Sequence, residues 1–111
     1  MKNADAIAAL SALANEHRLE VFRLLVQAGP DGRSAGAIAA ALGLPASSLS
    51  FHLAHLTRAG LIEQQRESRS LIYSADFAAM NGLVGFLTEN CCGGASCAPV
   101  AVSSSKKRKA S

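Results

Sequence analysis

The three cysteines of this chain lie within seven residues near its end, in the segment TENCCGGASC at positions 88–97. Cys91, Cys92 and Cys97 carry thiolates, which are soft ligands that select soft ions. A trivalent arsenic or antimony centre takes three sulfurs in a pyramid, and arsenous acid exchanges three hydroxyls for three thiolates without leaving a net charge. Structural zinc needs four ligands, and no fourth Cys or His is close in sequence. The spacing therefore predicts a three-thiolate site for As(III) or Sb(III).

Other uses of the same cysteines stay open. Cadmium, lead or mercury ions can also bind three thiolates. Cys91–Cys92 or Cys92–Cys97 could oxidise under stress and form a redox sensor. The double glycine Gly93-Gly94 permits the chain reversal that would bring Cys97 back beside the pair. Because two Cys, two Gly and a third Cys occur together here and nowhere else, we favour the metalloid site.

The composition limits the kind of molecule. A chain of 111 residues is enough for one domain, and an Ala-rich composition without Trp gives a thin core, so a second subunit is expected to bury more surface. No apolar run is long enough to span a bilayer, and the N-terminal segment lacks the features of an export signal. We therefore expect a cytoplasmic protein with reduced thiols and no membrane partner.

The positive charge is concentrated in the tail. Lys106, Lys107, Arg108 and Lys109 account for four of the 11 Lys and Arg, which leaves seven against eight Asp and Glu and a net charge of −1. We assign residues 1–102 to one folded domain and residues 103–111 to a disordered basic tail. The tail either adds non-specific phosphate contacts or only keeps the chain in solution.

Apolar spacing predicts four helices before a β-hairpin. The first covers residues 4–14, with Ile7, Leu10 and Leu13 as its apolar residues, and Asn15 caps the second. Ser34 caps a short third helix that Gly43 ends. The fourth helix, PASSLSFHLAHLTRAG, begins at Pro45, and its inner residues are Leu49, Leu53 and Leu56.

Segments 61–66 and 70–75 read as a hairpin around the turn Glu67-Ser68-Arg69. Asp76 then caps a last helix to about Asn90. Along this helix the apolar residues have the 3-4-3 spacing of a helix-pairing seam, in which Cys91 would come next: Phe77, Met80, Val84 and Leu87. The fold class is therefore mainly α with a β-hairpin wing, a winged helix-turn-helix.

The fourth helix and the hairpin offer polar side chains to DNA. Hydroxyls and imidazoles can bond to base edges and phosphates, and a helix of this length fits the major groove. The candidate DNA-binding residues are Ser47, Ser48, Ser50, Phe51, His52, His55, Arg58, Arg66 and Arg69. A solvated helix face and an ordinary surface hairpin that do not bind DNA would show the same pattern of polar residues. His52 and His55 could also hold a metal ion, but no third ligand is near, and His17 reads as an ordinary residue of the second helix.

The stretch from NEHRLEVFRLL through SSLSFHLAHLTRAGLI to the hairpin resembles the ArsR/SmtB family of bacterial winged-helix repressors. The resemblance covers roughly residues 4–90. It implies a homodimer built from the first and last helices, with recognition helices about 34 Å apart. It also implies a bacterial, nucleoid-associated protein that binds operator DNA without inducer and releases it with inducer.

Metal sites differ within that family. The third and fourth helices lack a Cys-x-Cys site, and the zinc-type site on the last helix has Asp76 but Ala78 where a His is expected. The remaining cysteines resemble the C-terminal tri-cysteine arrangement of some arsenite-responsive members. The expected inducer is therefore As(III) or Sb(III), with no organic cofactor. Ion capture would unwind the last helical turn at Cys91 and weaken operator binding.

An enzyme is not expected. The chain has no Cys-x-x-Cys at a helix start, and no persuasive Ser/His/Asp or carboxylate pair.

Overall fold

A computed structural model gives the fold, and it describes residues 1–94. The helices are α1 (Asn3–Leu13), α2 (Glu16–Ala28), α3 (Ala35–Leu42), α4 (Ala46–Arg58) and α5 (Phe77–Leu87); the strands are β1 (Arg33–Ser34), β2 (Ile62–Glu67) and β3 (Ser70–Ala75). A 3₁₀ turn, Cys91–Gly94, follows α5, and we call it the cysteine turn. The predicted order of four helices, a hairpin and a helix is confirmed. The proposed boundary at residues 102/103 and the basic tail lie outside the described residues.

The hairpin is part of a three-stranded antiparallel sheet in the order β1-β3-β2. The sequence did not predict β1, which is only two residues long and pairs Arg33 with Tyr73 and Ser34 with Ile72. Gly32, which precedes it, has φ +67°, and a Cβ at this position would overlap the Tyr73 carbonyl oxygen. The close approach of β1 to β3 therefore requires glycine here.

One apolar core holds the helices against the base of the sheet. Its buried members are Ala6, Ala9, Ala12, Val21, Phe22, Leu25, Ile38, Leu49, Leu53, Leu56, Leu61, Ile62, Ala75 and Leu83. The predicted inner residues of α4 are all among them.

The spacing of Ile7, Leu10 and Leu13 correctly identified α1, but these are not the residues that the helix buries. Three of its five alanines, Ala6, Ala9 and Ala12, are buried, whereas Ile7 is 65% exposed and Leu10 is 43% exposed. Both sets have helical spacing, but only small side chains let α1 approach α2 closely. In α2 the buried residues are Val21, Phe22 and Leu25, whereas Leu19 is exposed.

Side-chain hydrogen bonds fix the junctions between helices. Asn15 Oδ1 accepts from the backbone N–H groups of His17 and Arg18 and caps α2, as predicted. Arg18 Nε donates to the Ala12 carbonyl oxygen at 2.6 Å, which ties α2 to the free carbonyls at the end of α1.

The last helix is shorter than the sequence predicted. It ends at Leu87 rather than near Asn90, with Thr88 as its C-cap, and Asn90 has φ 58°. Thr88 Oγ1 donates to the Val84 carbonyl oxygen at 2.9 Å. Such a bond competes with the helical pattern. Cys91 therefore does not continue the helical series of the predicted seam.

Among the described residues, no single helix combines the length and apolar character needed to cross a membrane. Only α3 and α4 counted together pass that test of length and composition, and they are bent by 114° relative to each other.

Candidate nucleic-acid interface and cysteine turn

The turn between α3 and α4 sets the direction of the recognition helix. Gly43 ends α3 in the left-handed conformation with φ 66°, and the Leu44 N–H donates to the Ala39 carbonyl oxygen at 3.1 Å. Pro45 lies at the N-cap position of α4, one residue before the helical turn in which the sequence placed it. Because the inner leucines of α4 are buried, the opposite side of the helix is directed outward.

Most of the predicted DNA-contacting residues of α4 lie on that outer side. Those that are exposed are Ser47, Ser48, Ser50, Phe51 and Arg58. This surface can offer hydroxyl groups, one aromatic ring and one positive charge to the major groove.

His52 is directed toward α2 instead. Its ring centroid lies 5.6 Å from that of His17, and its buried Nδ1 has no hydrogen-bond partner. Burial lowers the pKa of His52, and the positive charges of Arg18, His17 and His55 lower it further. The sequence interpretation of His17 as an ordinary helix residue missed this contact. Only the tertiary packing brings together two residues 35 positions apart.

His55 is half-buried near α1. It lines a groove with Ala8, Ser11, Arg58 and Ala59. Its pKa is also lowered, first by desolvation and then by Arg18 and Arg58. The lowered pKa favours the neutral imidazole of His55, which can both donate and accept a hydrogen bond.

The wing carries the two predicted arginines in exposed positions. Arg66 lies on β2 opposite Leu71, and Arg69 lies in the turn beside Ser68, which has φ 58°. Within residues 1–94 neither arginine forms an ion pair. Both guanidinium groups therefore have their full donor capacity for phosphate.

Two polar residues at the base of the wing were not predicted from the sequence. Gln64 and Tyr73 are direct cross-strand partners, and with α4 residues they line a pocket between helix and sheet. Its other lining residues are Ser50, Ala54, Thr57 and Arg58. Gln64 and Arg66 are two positions apart and share this face, so alternation along β2 is the signal that could have found Gln64.

The cysteine turn brings two of the three predicted sulfurs together. Cys91 Sγ lies 3.8 Å from Cys92 Sγ, in a turn where Cys92 and Gly93 have φ values of 57° and 66°. Cys91 is a half-buried free thiol, whereas Cys92 is disulfide-bonded, which differs from the expectation of reduced thiols. Cys97 lies outside the described residues. Within residues 1–94 no three His, Cys, Asp or Glu side chains are grouped so that they could hold a metal ion.

Comparisons with known proteins agree with this geometry. A family model described as "Helix-turn-helix domain" matches residues 13–65. The HTH-type transcriptional regulator YgaV of Escherichia coli is 36% identical over 88 residues, which cover 79% of this chain and 87% of that protein.

Two solved structures share the fold. An ArsR-like transcriptional regulator from Rhodococcus aligns with a TM-score of 0.68 and 28% identity over 76% of each chain. The homodimeric winged helix-turn-helix DNA-binding domain Mb0332 from Mycobacterium bovis, a possible ArsR-family regulator, aligns with a TM-score of 0.62 and 31% identity. The alignment covers 78% of this chain and 81% of that one. These relatives are regulators rather than enzymes, and this chain belongs with them to the ArsR family of winged helix-turn-helix transcriptional regulators.

Proposed function

We propose that this regulator is a metalloid-responsive repressor of the bacterial cytoplasm. It binds operator DNA as a homodimer and dissociates when As(III) or Sb(III) is bound by Cys91, Cys92 and Cys97. The observation that carries the proposal is the 3.8 Å separation of the Cys91 and Cys92 sulfurs directly after α5.

The proposal that the protein binds DNA rests on the outer side of α4 and on the wing. The exposed serines can donate hydrogen bonds, and the unpaired guanidinium groups of Arg66 and Arg69 flank the hairpin tip. The domain without its tail has a net charge near zero, so attraction to DNA depends on these local groups rather than on an overall positive field.

The proposal that the protein is a homodimer rests on an apolar surface that a single subunit leaves exposed. In α1, Ile7 and Leu10 are exposed, and in α5, Val84 and Leu87 are 55% and 58% exposed. α1 and α5 pack against each other, so these side chains belong to one region of the molecule. A second copy of the chain would remove them from water, and the Mycobacterium bovis relative is homodimeric.

The proposal of a three-thiolate site rests on the distance between two sulfurs and on the chemistry of trivalent arsenic. For sulfur–metal bonds of about 2.3 Å with angles of roughly 90° to 110°, two sulfurs on one ion are about 3.3 to 3.8 Å apart. The Cys91–Cys92 separation of 3.8 Å falls at the upper end of this range. Arsenous acid would bind three thiols and release three water molecules. The disulfide of Cys92 must first be reduced by an external dithiol, which supplies two electrons and two protons and becomes a disulfide itself, since only the thiol form can enter this exchange.

Coupling to DNA would act through the junction between α5 and the cysteine turn. Because α5 already ends at Leu87, capture of the ion would rearrange the turn rather than unwind the helix. The Cys91 N–H donates to the Thr88 carbonyl oxygen at 3.0 Å, which links the turn to the C-cap of α5. A shift of this cap would move Leu87 in the proposed dimer interface and change the spacing of the two recognition helices. By linkage, DNA would weaken ion binding by the same factor.

The test follows DNA release by fluorescence anisotropy, using reduced protein and a duplex from upstream of its own gene. Arsenite should lower the affinity of the wild type by at least tenfold, within the usual range of allosteric coupling. Cys91→Ser, Cys92→Ser and Cys97→Ser should each abolish the effect. Glu89→Gln is the matched control, because it removes a neighbouring oxygen ligand and keeps all three thiols. If the triple serine variant is still released by arsenite, the proposal is wrong.

A redox sensor is the second candidate, and the disulfide-bonded state of Cys92 favours it. Cys91→Ser separates the two functions, because it removes the free thiol from a three-thiolate site without removing Cys92. A redox sensor would keep a response of DNA affinity to peroxide in this variant. Cadmium, lead and mercury salts, titrated in the same assay, test the other soft ions.

A further inference from the structure

The outer side of α4 lacks most of the side chains that usually read bases. Its exposed residues are Ala46, Ser47, Ser48, Ser50, Phe51, Ala54, Thr57 and Arg58. Bidentate recognition of guanine needs Arg or Lys, and that of adenine needs Asn or Gln. In α4 only Arg58 belongs to this group, and it is in the last turn. The early turns of the helix must therefore recognise bases in another way.

Phe51 is the most prominent apolar group on this side. It is 66% exposed, more than any other large apolar residue of the described chain. Its ring meets that of His52 edge to face, with centroids 6.1 Å apart. His52 in turn lies against His17 of α2, so a chain of ring contacts connects Phe51 to α2.

Phe51 also shares one side of α4 with two other exposed residues. Ser47, Phe51 and Ala54 are separated by four and three residues and lie along one stripe of α4. The stripe combines a hydroxyl group, an aromatic ring and a methyl group. The exposed apolar residues of α1 and α5 that define the proposed dimer interface do not include this stripe.

We propose that Phe51 is a specificity-determining residue that recognises the 5-methyl group of thymine in the operator half-site. This inference rests on the proposed operator binding and names the base that the site prefers. The thymine methyl is the one apolar group that the four bases present in the major groove, and Phe is among the side chains that contact it. Ala54, one turn further along the stripe, adds a second apolar contact.

The experiment first selects operator sequences from a random duplex pool. Each thymine of the selected site is then replaced in turn by deoxyuridine, which removes only the methyl group and keeps base pairing. At one thymine per half-site, the replacement should weaken wild-type binding about fourfold, as expected for the burial of one methyl-sized group. When this thymine is replaced in both half-sites, binding should weaken about 15-fold.

The Phe51→Ala variant should bind the thymine and deoxyuridine duplexes equally well, and Phe51→Leu should retain part of the difference. Ser47→Ala is the matched control, because it changes the same stripe and should keep the full deoxyuridine effect. The salt dependence of binding should be unchanged in Phe51→Ala, since no phosphate contact is lost. Phe51 is exposed, and circular dichroism should show an unchanged fold.

Two results would overturn the inference while leaving operator binding intact. One is a wild-type affinity that no deoxyuridine replacement changes, and the other is a deoxyuridine effect of equal size in Phe51→Ala. Failure to enrich any sequence from the pool would overturn the operator-binding proposal and this inference together.

Discussion

At the scale of single residues, His52 shows that a polar side chain of a recognition helix can pack against a neighbouring helix instead of facing DNA. Its Nδ1 is buried without a partner and its ring lies against His17. Arg18 on α2 and His55 on α4 add positive charge, while Glu20 lies 3.8 Å from His17 Nδ1 and offsets part of it. The neutral imidazole therefore fits this position better than the charged one.

The lowered pKa of His52 predicts a pH-dependent stability. Because the folded-state pKa lies below the unfolded value of 6.5, the unfolded chain takes up the proton first. The free energy of unfolding should be highest above pH 7 and should fall as the pH drops through 6.5. Urea denaturation between pH 8 and 5 should show a smaller decrease in His52→Gln.

His55→Gln is the comparison variant, because the pKa of His55 is lowered in the same direction but the residue contacts α1 rather than His17. An identical pH slope in wild type and His52→Gln would contradict the assignment to His52.

At the scale of elements, the caps decide where helices begin. Asp76 is the one residue of the family's zinc-type site that the last helix retains in this sequence. In the structure, Asp76 Oδ1 accepts from the Ala79 N–H at 3.0 Å and caps α5. The same helix ends at Thr88, so both of its limits are set by local hydrogen bonds.

Removal of the cap should destabilise the domain without changing its chemistry. Asp76→Ala should lower the free energy of unfolding by about 1 kcal/mol, and Asp76→Ser should retain most of it, because serine is also a good N-cap. Urea denaturation measures both. Release of DNA by arsenite should persist in Asp76→Ala; its loss would show that Asp76 takes part in ion binding.

At the scale of the whole molecule, the thin core and the exposed apolar residues have one explanation. α1 buries only alanines within the subunit, which leaves Ile7 and Leu10 uncovered, and α5 leaves Val84 and Leu87 uncovered. A regulator of this size presents two recognition helices to DNA only if two subunits associate. The proposed dimer therefore serves both stability and DNA binding.

A charge in this surface should separate the subunits. Val84→Glu places a carboxylate on α5 where the side chain is 55% exposed in one subunit, and its burial in a dimer would be unfavourable. Sedimentation should show a monomer, and operator affinity should fall by at least tenfold because the two half-sites are no longer bound together.

Ala40→Glu on the exposed side of α3 is the matched control and should remain dimeric. A dimeric Val84→Glu protein would place the subunit interface elsewhere.

The sequence by itself determined the features that depend on neighbours along the chain. The spacing of Leu49, Leu53 and Leu56 identified both α4 and its buried side, and the Asn15 and Asp76 caps were correctly located. The hairpin was also predicted close to its observed limits. These features follow from helical or strand periodicity and from hydrogen bonds within a few residues.

Where two sets of residues in a helix have the same spacing, only the tertiary structure determines which set is buried. Ala6, Ala9 and Ala12 have the same period as Ile7, Leu10 and Leu13, and only the distance to α2 selects the alanines for the interior. The contact between His17 and His52 and the pairing of β1 with β3 join segments far apart in sequence. Periodicity fixes how side chains are distributed around one element, but it contains no information about the neighbour that each side will meet.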